Sequence, residues 1–185
     1  MLLNVRDSVL LIVDLQPKFM TSVIHAERVV RRAEFLCRVA QILDVPVFAT
    51  EQNPERMLGT DSRLTPFIPD DNTFSKMAFS AFGAAGLNEV LQQTGRSTVV
   101  IVGVETHICV NQTVHDCYTL GLTPVLVPDA VTSRAEESTE TGLKRIAALG
   151  TTMAHSESVV YEWLGTADHP RFREVLAVVK EFSHS

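Results

Sequence analysis

The sequence of 185 residues has few cysteines, no excess of positive charge and no long apolar run. Its three cysteines predict free thiols in a reducing cytoplasm rather than a disulfide framework. Because 16 Lys and Arg face 22 Asp and Glu, we expect neither a nucleic-acid partner nor binding to an anionic membrane surface. Arg6, Asp7 and Asp14 interrupt the apolar N-terminal residues, so we expect no export signal and no membrane span.

Short apolar runs alternate along the chain with longer amphipathic segments. The runs predict buried strands at 9–13, 45–49, 98–102, 123–127 and, more weakly, 151–154. The amphipathic segments predict helices at 26–43, 84–93, 110–120 and 136–149, with a further helix after Pro170, and the proline-rich stretch 52–74 predicts a long loop with short helical turns. This alternation predicts a three-layer α/β/α sandwich with a mainly parallel sheet, as a single domain over residues 1–185.

Cys109 follows an apolar run that ends at Gly103 and begins a helical pattern. A buried strand that turns into a helix places the first helical residues at the ligand crevice of an α/β sheet. The helix N-terminus there favours a thiolate. A free cysteine is also commonly a small apolar core residue, so position alone leaves both interpretations open. Cys37 and Cys117 fall on apolar helical stripes and are predicted to be structural.

Two charged residues stand in apolar surroundings. Asp14 follows the first predicted strand at the end where the crevice forms, although an Asp in this place also commonly caps a turn or a helix. Lys76 has Phe74, Met77 and Phe79 as neighbours, where a desolvated ammonium needs an anion, although an isolated lysine often buries only its stem. The combination with Cys109 favours a catalytic group.

These residues, in this order, resemble the isochorismatase-like cysteine hydrolases, a family that includes nicotinamidases and N-carbamoylsarcosine amidase. The resemblance extends across nearly the whole chain. It rests on VDLQPKF around Asp14, FSKMAFSAF around Lys76, GVETHICVNQT around Cys109 and PDAVTSR at 128–134. The form VETHIC followed by DAVTSR is most similar to the isochorismatase-domain-containing subgroup. The resemblance implies a Rossmann-like α/β fold and a homo-oligomer.

The resemblance also implies an Asp14, Lys76 and Cys109 triad that hydrolyses a C–N bond of a small-molecule amide through a thioester. Asp14 would accept the thiol proton, Lys76 would keep Asp14 ionised, and the backbone N–H groups of Glu105 and Cys109 would bind the oxyanion. A cis peptide bond is implied between Val104 and Glu105. A non-catalytic binding or scaffold protein and a thiol redox sensor remain alternatives, although a scaffold needs neither Asp14 nor Lys76 at the crevice.

The chain departs from the nicotinamidases, which carry a metal-binding Asp-x-His and a further His after the second strand. Here the segment reads ATEQNPERMLGT, and no histidine lies between Glu51 and Ile68. We therefore predict no metal and no cofactor, and nicotinamide is disfavoured as a substrate. The retained cysteine argues against isochorismate. Candidate substrate contacts are Phe19, Gln52 and Thr106, although Phe19 also suits the core and Thr106 also suits a helix N-cap.

Overall fold

In the computed structural model, residues 2–183 are described, and six strands among them form one sheet. The strands are β1 (Ser8–Val13), β2 (Val47–Gln52), β3 (Thr73–Lys76), β4 (Thr98–Val104), β5 (Thr123–Thr132) and β6 (Thr152–Met153). They pair in parallel in the order β3-β2-β1-β4-β5-β6. Every residue of β1 and β4 is buried, which suits their valine, leucine and isoleucine content and their place at the centre of the sheet.

Helices cover both faces of this sheet. They are α1 (Pro17–Met20), α2 (Ala26–Ile42), α3 (Pro54–Met57), α4 (Leu87–Gln93), α5 (Asn111–Thr119), α6 (Glu136–Ala147), α7 (Ser156–Leu164) and α8 (Phe172–Phe182). One apolar core joins α2, α7 and α8 to Leu10 and Ile12 of β1. The other core joins α4, α5 and α6 to Val9 and Leu11, because alternate residues of a strand face opposite sides. The predicted three-layer α/β/α sandwich is confirmed.

No helix within residues 2–183 is both long enough and apolar enough to cross a membrane.

The structure differs from the sequence predictions in several elements. The short helix α1 was not predicted, and β5 continues to Thr132, five residues beyond the predicted strand. β3 begins inside the segment that was expected to be a loop, because it is a four-residue edge strand with only one buried residue and without an apolar run. The helix α7 was not predicted, although its Val159, Val160, Trp163 and Leu164 are buried. Nine residues are too few for a helical period to stand out in a sequence. The rest of the expected loop contains α3 and two 3-10 turns, as predicted.

The order of the strands reverses between β1 and β4. Parallel sheets open a crevice at such a point, beyond the carboxyl ends of the strands. The last residue of β1, Val13, lies between Thr50 of β2 and Gly103 of β4. Gly103 has a φ of +128°, and a Cβ atom on it would overlap the carbonyl oxygen of Val13. Glycine therefore permits the close approach of two strands immediately before Asp14.

Candidate active site

Asp14 directly follows β1 and is fully buried at the crevice. Its φ of +55° is in the left-handed region, which aspartate adopts more readily than most residues. One carboxylate oxygen, Oδ1, accepts a 2.8 Å hydrogen bond from Thr50 Oγ1, and the other, Oδ2, accepts a 2.7 Å hydrogen bond from Lys76 Nζ. Both oxygens of this buried carboxylate are therefore held in place.

Lys76 is the last residue of β3, and its side chain reaches past the end of β2 to Asp14. The side chain has no exposed surface. Besides Asp14, its Nζ lies 2.9 Å from Gln52 Oε1, 2.9 Å from the carbonyl oxygen of Phe79 and 3.2 Å from that of Ala78. An ammonium has three N–H donors and no acceptor, so four surrounding oxygens fix its position and its charge is matched by one carboxylate.

Replacing Lys76 with methionine is expected to lower the free energy of unfolding by about 3–5 kcal/mol at pH 7, because the Asp14 carboxylate loses its buried cation. Burial raises the pKa of Asp14, and Lys76 is the main group that opposes this rise. In the variant the pKa therefore rises further. The free energy of unfolding should then increase as the pH falls toward about 3.9, the ordinary value of an unfolded aspartate.

Urea unfolding at pH 7 and at pH 5 measures both effects. The matched control is Lys144→Met, which removes an exposed lysine that pairs with Glu140 on α6 and should leave stability nearly unchanged. An equal loss of stability in the two variants would contradict the role given to the pair of Lys76 and Asp14.

Cys109 lies on an elbow between β4 and α5. The peptide bond between Val104 and Glu105 is cis, as the resemblance implies. The residues Thr106–Val110 then form a single π-helical turn that continues into α5. Within this elbow the backbone N–H of Glu105 acts to lower the pKa of Cys109. The elbow thus brings the thiol to the end of β4, next to the end of β1.

Cys109 is 7% exposed, and its thiol is close enough to Asp14 for the carboxylate charge to act on it. Burial raises the pKa of Cys109 to about 12; the negative charge of Asp14 adds to the rise, and Lys76 opposes it. The resting group is therefore a thiol beside a carboxylate, which differs from the thiolate that a helix N-terminus alone favours. Such a pair suits transfer of the thiol proton to the carboxylate.

The three candidate substrate contacts have different surroundings. Phe19 in α1 packs against the core that contains α2, in keeping with the core alternative. Gln52 accepts a hydrogen bond from Lys76 and donates one of 3.0 Å to the carbonyl oxygen of Met77, so it supports the lysine. Thr106 is fully buried, and among residues 2–183 its hydroxyl has no hydrogen-bond partner. The N-cap alternative for Thr106 is therefore wrong.

Sequence reasoning missed three residues of this site. Thr50 binds Asp14, as described above. Gln16 accepts a 2.7 Å hydrogen bond from the backbone N–H of Gln52, and its amide group donates to the carbonyl oxygens of Gln52 and Leu58. Arg134 binds the Glu105 carboxylate. Gln16 and Arg134 lie inside the motifs VDLQPKF and PDAVTSR. These motifs, rather than any spacing of charges, could have indicated that the two residues belong to the site.

Among residues 2–183, no cluster of histidines forms at this site. His107, two residues before the cysteine, shares a 3.0 Å hydrogen bond between its Nδ1 and Ser133 Oγ. Within the described part of the chain, no three or more His, Cys, Asp or Glu side chains are grouped so that they could hold a metal ion.

Comparison with known proteins identifies relatives of nearly full length. The sequence pattern described as the isochorismatase domain matches residues 8–158, which include Asp14, Lys76 and Cys109. Isochorismatase domain-containing protein 2A of Mus musculus is 32% identical over 181 residues, which cover 95% of this chain and 84% of that protein.

Two solved structures share the fold. The structure named MAR1 ribonuclease from Caenorhabditis elegans has a TM-score of 0.91 and 29% identity, covering 97% of this chain and 93% of its own. The ycaC gene product of Escherichia coli, described as an octameric hydrolase of unknown specificity, has a TM-score of 0.86 and 19% identity. It covers 98% of this chain and 89% of its own. At the lower identity the likeness concerns the fold alone.

Proposed function

Because the chain belongs to the isochorismatase family, we propose that it is a metal-independent cysteine hydrolase that cleaves a C–N bond of a small amide. The observation that carries the proposal is a buried carboxylate, Asp14, which Lys76 binds at 2.7 Å and whose charge acts on the Cys109 thiol. Burying two charges costs several kcal/mol for each ion, so a scaffold gains nothing from this arrangement. A hydrolase needs the carboxylate beside the thiol.

In the first half of the reaction, Asp14 accepts the thiol proton while the sulfur attacks the carbonyl carbon of the amide. The carbonyl oxygen becomes an oxyanion, which accepts hydrogen bonds from the backbone N–H groups of Glu105 and Cys109. Asp14 then returns the proton to the amide nitrogen. The C–N bond breaks, an amine or ammonia leaves, and a thioester remains on Cys109.

In the second half, water attacks the thioester and Asp14 accepts its proton. The tetrahedral intermediate collapses, the C–S bond breaks, and the proton returns to the sulfur as the carboxylic acid leaves. Lys76 stays bound to Asp14 throughout and holds the carboxylate against the large pKa-raising effect of burial. The proposal includes no metal, because the segment 51–68 offers no histidine and the triad supplies both nucleophile and base.

The proposal is tested with a panel of formamide, acetamide, propionamide, benzamide, nicotinamide and N-carbamoylglycine. Ammonia release is measured for each compound, and intact mass spectrometry detects the acyl-enzyme. We expect ammonia release together with a mass increase on Cys109 for at least one compound without a ring nitrogen. No ammonia release and no mass increase with any compound would contradict the proposal.

A thiol sensor is the less favoured alternative. Rapid oxidation needs an accessible thiolate, whereas Cys109 is buried and its pKa is raised to about 12. The name of the Caenorhabditis elegans structure suggests RNA cleavage as another function. The net charge of -6 disfavours binding of RNA, which is a polyanion. Cleavage of a labelled RNA that disappears in Cys109→Ala would overturn the preference for an amide.

Asp14→Asn is expected to separate hydrolysis from simple thiol reactivity. Removing the base should lower kcat for amide hydrolysis by about 10²–10⁴-fold. Because the charge of Asp14 raises the pKa of Cys109, the same change should lower that pKa and speed alkylation by iodoacetamide at pH 8. The alkylation rate should rise roughly three- to fourfold for each unit by which the pKa falls. The rise is less than tenfold because a thiolate of lower pKa is also a weaker nucleophile.

Mass spectrometry of the peptide that contains Cys109 measures the alkylation rate, and ammonia release measures hydrolysis. The control is Asp116→Asn on α5, which removes a carboxylate outside the triad and should leave both rates unchanged. If Asp14→Asn hydrolysed the amide at close to the wild-type rate, Asp14 would not be the base; slower alkylation would contradict the effect of its charge on the pKa of Cys109.

A further inference from the structure

The side chain of Glu105 forms an ion pair with Arg134 at the elbow. Its carboxylate accepts three hydrogen bonds from Arg134: from the backbone N–H at 2.9 Å, from Nε at 3.0 Å and from Nη2 at 2.5 Å. Glu105 is 6% exposed, whereas the Arg134 side chain is mostly exposed. Burial acts to raise the pKa of Glu105, but these hydrogen bonds outweigh it and hold the pKa below its ordinary value. The carboxylate is therefore ionised at neutral pH.

The backbone of the same residue holds the nucleophile's turn. The carbonyl oxygen of Glu105 accepts the N–H groups of Ile108 at 3.0 Å and Val110 at 3.2 Å. Its own N–H acts to lower the pKa of the Cys109 thiol. One residue thus connects the loop after β5, through its side chain, to the turn that presents the sulfur, through its peptide groups.

A second support lies behind the elbow. Gly142 of α6 packs so closely that a Cβ atom on it would lie 2.9 Å from the backbone nitrogen of His107. The elbow is therefore packed against α6 on one side and held by Arg134 on another. Because the packing against α6 persists without the ion pair, loss of the pair is expected to shift the Glu105 peptide without unfolding the elbow.

We propose that Glu105 and Arg134 are positioning residues for the nucleophile. Their ion pair fixes the Glu105 peptide so that its N–H faces the Cys109 sulfur and the oxyanion that forms beside it. The pair also gives a physical reason for VETHIC and DAVTSR to occur together, because each motif supplies one partner. The part of the inference that concerns the oxyanion rests on the proposed function, whereas the part that concerns the sulfur does not.

The test uses Glu105→Gln, Arg134→Gln and the double variant. Alkylation of Cys109 by iodoacetamide is measured at pH 8, and kcat and KM are measured with any amide that the wild type hydrolyses. Each single variant should slow alkylation and lower kcat by about tenfold, with KM changed by less than about threefold, because a misplaced group loses transition-state contacts more than binding. The double variant should be no slower than either single variant, since both remove one interaction.

The direction of the alkylation change separates positioning from charge. Glu105→Gln removes a negative charge near the thiol, so a purely electrostatic role predicts faster alkylation, whereas loss of the aligned N–H predicts slower alkylation. Arg134→Lys keeps the charge but lacks the two-pronged geometry, and it should give intermediate rates. Wild-type rates in both single variants, faster alkylation in Glu105→Gln, or losses that multiply in the double variant would each overturn the proposal.

Matched controls are Glu140→Gln and Lys144→Gln, which remove an exposed ion pair of α6 and should leave both rates unchanged. Urea unfolding of every variant checks that the fold persists. If Glu105→Gln does not fold, Arg134→Gln and Arg134→Lys decide the question, since both keep the backbone hydrogen bond to Glu105. Lack of amide turnover by the wild type contradicts the proposed function alone, because alkylation reports the position of the sulfur without a substrate.

Discussion

Cys109→Ala is expected to lower kcat for amide hydrolysis by about 10⁴-fold or more, because no other group in the site can form the thioester. The variant should bind substrate with little change, since alanine leaves the backbone N–H groups of the elbow in place. Ammonia release under single-turnover conditions measures the loss, and intact mass should show no acyl adduct on the variant.

The matched control is Cys117→Ala in α5, a second fully buried cysteine eight residues further along the chain. It removes the same side-chain atoms from the same core layer, and hydrolysis should persist at close to the wild-type rate. If Cys109→Ala retained more than about a tenth of the wild-type rate, the thioester route would be excluded, because loss of a covalent nucleophile lowers the rate by much more than tenfold.

Gly103→Ala is expected to lower the free energy of unfolding by about 3–5 kcal/mol. The added Cβ would overlap the Val13 carbonyl oxygen and lie 2.8 Å from both the nitrogen and the carbonyl carbon of Val13, and the φ of +128° is strained for any side chain. Relief requires β1 and β4 to separate next to Asp14, so hydrolysis should fall even in molecules that remain folded. Urea unfolding and specific activity measure the two losses.

Gly95→Ala is the control for backbone strain alone. Gly95 also has a positive φ, +67°, but a Cβ on it meets no atom within 4 Å. This variant should lose about 1 kcal/mol and keep full activity. Equal losses in the two variants would show that the close approach of β1 and β4 contributes nothing to stability.

The sequence predicts the central strands well and the edges poorly, for a physical reason. β1, β4 and β5 are buried on both faces, so their apolar runs stand out. β3 pairs on one side only and alternates little, so it has no such run. Asp14, Lys76 and Cys109 became candidates because they follow or interrupt apolar segments, and the family resemblance then grouped them as a triad.

The supports of the triad were not predictable in the same way. Thr50 and Asp14 are 36 residues apart, and Glu105 and Arg134 are 29 apart, so these contacts exist only once the sheet has formed. The protonation state of Cys109 also could not be predicted from the sequence. Its pKa depends on how deeply the surrounding packing buries the thiol, and not on the helix N-terminus alone.

The strand order determines when this site can form during synthesis of the chain. Lys76 and Asp14 are 62 residues apart in the sequence. Cys109 follows β4, which pairs with the edge of β1 opposite to β2. Loops of this length close late in folding, because closing them costs conformational entropy before the contacts between their ends can form. A ribosome-bound chain that ends between residues 77 and 108 therefore contains Asp14 and Lys76 but not Cys109. The candidate site is therefore completed only when β4 and the elbow that follows it pack beside β1.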